Sequence, residues 1–155
     1  PGEVLAEIYD ADPEVRAPLP FNEDPLRLIN VSARGPVTAA RPLIGGFVLH
    51  GQGTRTILIR AVGPALASFG VAGALAAPSL RVLSGERILA SNTGWSTADP
   101  ALLRTTAARV GAFPLPEGSR DSALLVTLPA GAYTAQAGTA DGAGGTVLLE
   151  VYEVP

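Results

Sequence analysis

The sequence predicts a mostly-β fold, and three observations carry that reading. Glycine and proline supply 18 and 14 of the 155 residues, too many interruptions for long helices and without the period of collagen. Apolar residues make up 47% of the chain and charged residues 16%, enough to build one hydrophobic core but a cramped allowance for two. The apolar residues also fall in short runs bounded by turn residues. Together these give a two-sheet antiparallel β-sandwich, immunoglobulin-like or jelly-roll-like, with two short helices. An extended amino-terminal strand and a proline-rich linker precede it.

Residues 1-12 are the strand. Glu3-Val-Leu-Ala-Glu-Ile-Tyr9 alternates, with Val4, Ala6 and Ile8 on one face and Glu3, Leu5, Glu7 and Tyr9 on the other. Residues 13-26 hold Pro13, Pro18, Pro20 and Pro25 among acids, which suits an extended linker. The sandwich is expected over 27-155. Its strand candidates are 27-33, 43-50, 55-62, 79-84, 87-91, 122-128, 132-137 and 146-152. Helices are expected from Pro64 to Phe69 and from Ala101 to Val110, the second announced by Asp99-Pro100, a capping residue followed by a first-turn proline. Gly45-Gly46 inside an apolar run implies a bulge or a close backbone approach. Leu128-Pro-Ala-Gly-Ala-Tyr133 implies a tight turn delivering a tyrosine, either a corner tyrosine tied to nearby backbone or an ordinary half-buried ring.

All 11 basic residues are arginine and the net charge is −3, the wrong sign for binding driven by nucleic-acid phosphates. Seven of the 14 acids lie in the first 24 residues against Arg16 alone, so that arm carries −6 and the remainder +3. No apolar run approaches the ~18 residues of a membrane helix. The absence of cysteine excludes disulfides, thiol catalysis and cysteine-held metal.

The two ends of the chain repeat one another. Gly2-Glu-Val-Leu-Ala-Glu-Ile-Tyr-Asp10 aligns without gaps on Gly145-Thr-Val-Leu-Leu-Glu-Val-Tyr-Glu153, with five of nine positions identical at an offset of 143 residues. One domain has one place for such a strand. The second copy adds at a different edge, lies free, completes another molecule by strand addition, or is the last strand of a preceding copy in a tandem array. Strand donation would use Val4, Leu5, Ala6, Glu7, Ile8 and Tyr9 as the assembly interface, and the linker gives reach at ~3 Å per residue.

A longer series of motifs resembles a known module. Arg27-Leu-Ile-Asn-Val-Ser-Ala-Arg-Gly35, Leu43-Ile-Gly-Gly-Phe-Val48, Thr56-Ile-Leu-Ile-Arg-Ala-Val-Gly-Pro-Ala-Leu66, Ala90-Ser-Asn-Thr-Gly-Trp95, Leu128-Pro-Ala-Gly-Ala-Tyr-Thr-Ala135 and Leu149-Glu-Val-Tyr-Glu-Val154 occur in order. Together they resemble the repeat module of large secreted proteins from Verrucomicrobia and related bacteria. The resemblance implies extracellular, mostly-β modules, often in tandem, each E-V-Y strand followed by a variable linker and the next R-L-x-N-x-S block. It implies no catalytic or binding residues.

Signals for chemistry are sparse. His50 is the single histidine, so a two-histidine zinc site is excluded, and it is read as a strand-end polar residue. Gly51-Gln-Gly53 lacks the rest of a dinucleotide fingerprint, and with no lysine there is no Walker loop. Asp10-Ala-Asp-Pro-Glu14 lacks the glycine and closing glutamate of a calcium loop and is read as solvated linker. Asp141-Gly-Ala-Gly-Gly145 is read as a hairpin connection. Trp95 and Asn92 sit in a polar loop where the indole is either a buried anchor or a sugar-stacking surface. Alternation places Arg60 on the face opposite Ile57, Ile59 and Ala61, where a buried or interfacial pair with a carboxylate is expected; Glu150 and its counterpart Glu7 are the candidates for such interface ion pairs, the alternative being a solvated pair.

The resulting expectation is a non-catalytic structural subunit of an extracellular or cell-surface filament or layer, assembling with copies of itself by donating the amino-terminal strand. No cofactor, metal, nucleic acid or membrane insertion is expected. The alternative is a carbohydrate- or surface-binding module of a tandem-repeat protein, with polysaccharide as partner.

Overall fold

The computed structural model describes residues 29–155. The expected strand 1-12 and linker 13-26 lie outside the described residues. Six strands follow in order: β1 (Asn30–Val37), β2 (Leu43–Val62), β3 (Pro78–Ser84), β4 (Arg87–Asn92), β5 (Ser122–Thr139) and β6 (Gly145–Val154). A 3₁₀ turn, Pro64–Phe69, separates β2 from β3, and a shorter one, Trp95–Thr97, leads into helix α1 (Pro100–Arg109) between β4 and β5.

Eight predicted strands become six because two pairs fuse. Segments 43-50 and 55-62 are one strand, β2, broken only by a register shift between Leu49 and Thr54, where Gly51 and Gly53 take positive φ. Segments 122-128 and 132-137 are likewise one strand, β5, and the expected tight turn at Leu128–Tyr133 is a bend within it, facing the β2 bulge.

The two predicted sheets are therefore one hydrogen-bonded sheet folded over itself, in the order β1-β6-β2-β5-β3-β4 and antiparallel between every pair of neighbours. One layer is β1, β6, the second half of β2 and the first half of β5; the other is the first half of β2, the second half of β5, β3 and β4. The main core lies between them. Ile57, Ile59 and Ala61 of β2, with Val147, Leu149 and Val151 of β6, meet Leu80 and Val82 of β3 and Ala135 and Ala137 of β5. Gly45 is the close approach its sequence context suggests, since a Cβ there would lie 3.2 Å from a Leu149 methyl in the facing layer.

Asp99 caps α1 as expected, its carboxylate accepting from Leu102 N–H at 3.0 Å with Pro100 next in the chain. The helix covers the outer face of the first layer, where Leu103 and Ala107 join Leu58, Trp95, Ala112, Ala123 and Tyr152 in a second cluster. Both faces of that layer are thus buried, which explains why every residue from Ile57 to Val62 is buried, Arg60 included. The Asp141–Gly145 segment is not a hairpin connection. The strands it joins, β5 and β6, are not neighbours in the sheet, and it carries the chain from one layer to the other.

Tyr133 is a corner tyrosine: its hydroxyl donates to Pro129 C=O at 2.9 Å across the β5 bend, and its ring stacks on Phe47 with centroids 5.6 Å apart. Tyr133→Phe keeps the ring and removes the tie. It is expected to lower unfolding free energy in urea by about 1 kcal/mol, with an unchanged circular dichroism spectrum.

Candidate functional site

The one buried ionic cluster among the described side chains forms around Arg60. Burial of Ile57, Ile59 and Ala61 toward the core turns Arg60, by strand alternation, to the opposite face with Leu58. There it is 1% exposed. Register places Glu150 of β6 directly across from it. Arg60 Nε donates to Glu150 Oε2 at 2.8 Å, and Nη2 lies 2.7 Å from the same oxygen. Arg60 Nη1 donates to the Phe113 carbonyl at 2.6 Å, and the Phe113 ring centroid lies 4.4 Å from the guanidinium carbon. The second carboxylate oxygen of Glu150 accepts from the Tyr152 hydroxyl at 2.7 Å.

Desolvating two charges is costly, and the pair is tolerable because both carboxylate oxygens accept a hydrogen bond and the guanidinium sits against the carboxylate while donating to a backbone carbonyl. Arg60 and Glu150 were expected either as a buried pair or at a contact between molecules; the structure brings them together, buried, inside one domain. The remaining candidates for that contact, Val4, Leu5, Ala6, Glu7, Ile8 and Tyr9, lie outside the described residues. Burial pushes the Tyr152 phenol up to about 12, helped by its hydrogen bond to Glu150 and by that carboxylate's charge.

A second cluster escaped the sequence reading. Asp121 is fully buried, and its Oδ1 accepts from Gly63 N–H at 2.7 Å and Ala65 N–H at 3.3 Å, fixing the start of the 3₁₀ turn. Its Oδ2 accepts from Ser119 Oγ at 2.6 Å, and its carbonyl accepts from Trp95 N–H at 2.7 Å. The signal available in sequence was an acid placed immediately before an apolar strand, a position that many exposed acids share.

Trp95 is the anchor of its loop. It is 2% exposed, its indole N–H donates to Ser119 Oγ at 3.1 Å, and Arg104 lies over the ring. No indole face is open for stacking a sugar. Asn92 is held in the same loop, its carbonyl oxygen accepting from Gly94 N–H at 2.9 Å and Ala123 N–H at 3.3 Å, its amide donating to Gly94 C=O at 3.1 Å. Neither residue forms the ligand surface considered from sequence. His50 is exposed at the β2 bulge. Among the described residues no three His, Cys, Asp or Glu side chains gather where they could hold a metal ion, and no helix is long and apolar enough to cross a membrane.

No family model matches the chain, and no curated protein matches it. Among solved structures it is similar to the pre-peptidase C-terminal domain of a collagenase from Bacillus anthracis, at 11% identity and a TM-score of 0.47, covering 79% of this chain and 89% of that one.

Arg60→Met and Glu150→Gln each strand a buried polar partner, and each is expected to lower stability by about 3–5 kcal/mol. The double variant Arg60→Met/Glu150→Leu is expected to recover most of that loss in the same urea titration. The Tyr152 shift has a defined sign. The folded state holds the phenolic proton more tightly than the unfolded chain, so its contribution is intact below pH 10 and is lost as pH rises toward about 12. Tyr152→Phe should flatten that alkaline loss.

Proposed function

We propose that this chain is a non-catalytic, extracellular structural module standing in a head-to-tail array of like modules, and that residues 2-10 are the β6-type strand of the module on its amino-terminal side. The observation that carries this reading is what the five repeated residues do in β6. A Cβ on Gly145 would lie 2.7 Å from the Leu75 backbone, so glycine is required. Val147 is fully buried in the main core, and Leu148 packs on the small cluster of Val62, Ala65 and Leu66. Glu150 and Tyr152 complete the buried cluster around Arg60. Gly2, Val4, Leu5, Glu7 and Tyr9 repeat this set of requirements, which suits a slot between β1-type and β2-type strands with an arginine facing the glutamate.

Strand stoichiometry favours an array over exchange between separate chains. The described residues hold one such slot, already filled by β6, and the sequence of residues 2-10 carries the same pattern a second time. Exchange would leave one strand per chain without a place, whereas modules joined in series need one strand for each slot. Asn30 faces Tyr152, so a module is entered and left at the same end of its sandwich, and the proline-rich linker sets the spacing between neighbours. The buried charges Arg60, Asp121 and Glu150 are all engaged in holding backbone or one another, as structural residues are. The extracellular setting rests on the resemblance to secreted repeat modules. Polysaccharide binding loses its main support with the burial of Trp95.

The test removes β6. A chain of residues 1-144 keeps residues 2-10 as its sole β6-type strand, whereas residues 27-144 have none. The first is expected to unfold cooperatively and the second to show no cooperative transition. Glu7→Gln within residues 1-144 should cost about 3 kcal/mol, matching Glu150→Gln in the whole chain. If both truncated chains are equally unfolded, the equivalence of the two strands fails. Filaments formed by the full chain, seen by light scattering and negative-stain microscopy, would favour donation between chains over the array.

A further inference from the structure

Modules joined in series carry load through the strands at which the chain enters and leaves, and in this sandwich those strands are neighbours. β1 and β6 pair antiparallel, with Asn30 opposite Tyr152 and Val37 opposite Gly145, so the chain enters β1 and leaves β6 at the same end of their ladder. The Ile29 carbonyl closes that end by accepting from Glu153 N–H at 2.9 Å. Tension between adjoining modules therefore draws the two strands apart from one end. The rungs of an antiparallel ladder lie perpendicular to its strands, and such a pull falls on the outermost rung before it reaches the next. A pull along the strands would load every rung together.

The two strands differ in what else holds them. β6 has a paired neighbour on each side, its Val147, Leu149 and Val151 are buried in the main core, and Glu150 is tied to Arg60 at 2.8 Å. β1 is at the margin of the sheet, paired with β6 alone among the described strands, and none of residues 30-36 is fully buried. Pro36 brings no N–H to the ladder. Val37, 1% exposed, is the first residue of β1 sunk in the core, and behind it Thr38 and Arg41 exchange two backbone hydrogen bonds of 3.1 Å.

We propose that β1 is a reversible extension element: under tension it peels from β6 rung by rung from Asn30, halts at the buried Val37, and zips back when the load falls. The source of the load rests on the array reading, whereas the order of failure rests on the ladder geometry. Peeling residues 30-36 frees about 25 Å of chain at ~3.5 Å per residue. It also moves the point of attachment along the strand by about 20 Å, so the module lengthens by about 45 Å in all. The rest of the sandwich keeps its own ladders and the Arg60–Glu150 pair, because none of these includes β1.

The chain has no cysteine, so two introduced cysteines attach handles at chosen points for optical tweezers. In the full chain, Ile29→Cys/Pro155→Cys reproduces the load of an array, and Ile29→Cys/Ala143→Cys pulls the same ladder along its strands from opposite ends; all three positions are exposed. The first pair is expected to give a reversible step of about 45 Å before global unfolding, at less than roughly half the force that opens the second. Val37→Ala behind the first pair of handles should shorten the life of the opened state about tenfold before the sandwich gives way. Unfolding of the first pair in a single step, or opening at the same force as the second, overturns the proposal, and an unchanged lifetime in Val37→Ala overturns the stop assigned to that residue. The measurement is made on one module, so its failure is distinct from failure of the array, which the removal of β6 tests.

Discussion

A guanidinium inside a protein needs a counter-charge and acceptors for its N–H groups, and Arg60 is inside, on the stretch of β2 that is buried from Ile57 to Val62. This requirement organises one side of the molecule. Glu150 must face it, which pins β6 against β2 in a single register, because a slip of one residue would send the carboxylate into the main core. The Phe113 carbonyl must reach it, which draws the segment after α1 down onto the sheet. Tyr152 then closes the remaining side of the carboxylate. The buried pair need not add stability over an apolar core of equal volume, and its consequence is specificity, in that only a strand carrying glutamate in this register fits beside β2.

The other organising feature is mechanical. β2 and β5 run through both layers, so the sandwich is a folded-over ribbon in place of two independent sheets. Bending there needs a bulge with positive-φ glycines on one strand, and a proline and glycine on the other stapled by the Tyr133 hydroxyl. A strand shared by two layers couples them: loosening the corner weakens the packing of Gly45 on Leu149, and through Leu149 the strand that carries Glu150.

Much of this was legible in the sequence where the cause is local. The Asp99 cap, the close approach at Gly45 and the outward turn of Arg60 follow from patterns a few residues long, and so does the mostly-β class. What was not legible depends on partners distant in the chain. Two fused strands read as four, because glycines at 51 and 53 and Pro129 look like interruptions until the opposing strand shows that pairing resumes beyond them. The link from β5 to β6 read as a hairpin because short glycine-rich connections usually join paired neighbours. Asp121 looked like any acid before a strand, since its donors come from residues 63 and 65, more than fifty positions away. Trp95 was ambiguous for the same reason, its hydrogen-bond partner lying 24 residues on.

The central claim is that the chain carries two strands cut for one slot, the lock being Arg60 and the key a glutamate in fixed register. The most direct measurement is the set of nuclear Overhauser contacts made by residues 2-10 in a chain that ends at Gly144. The account predicts Glu7 placed between Ser32 of β1 and Arg60 of β2, the two residues that flank Glu150 in the intact domain. Contacts that run instead along the outer edge of Leu43–Leu49, or none from residues 2-10 to any strand, would contradict it.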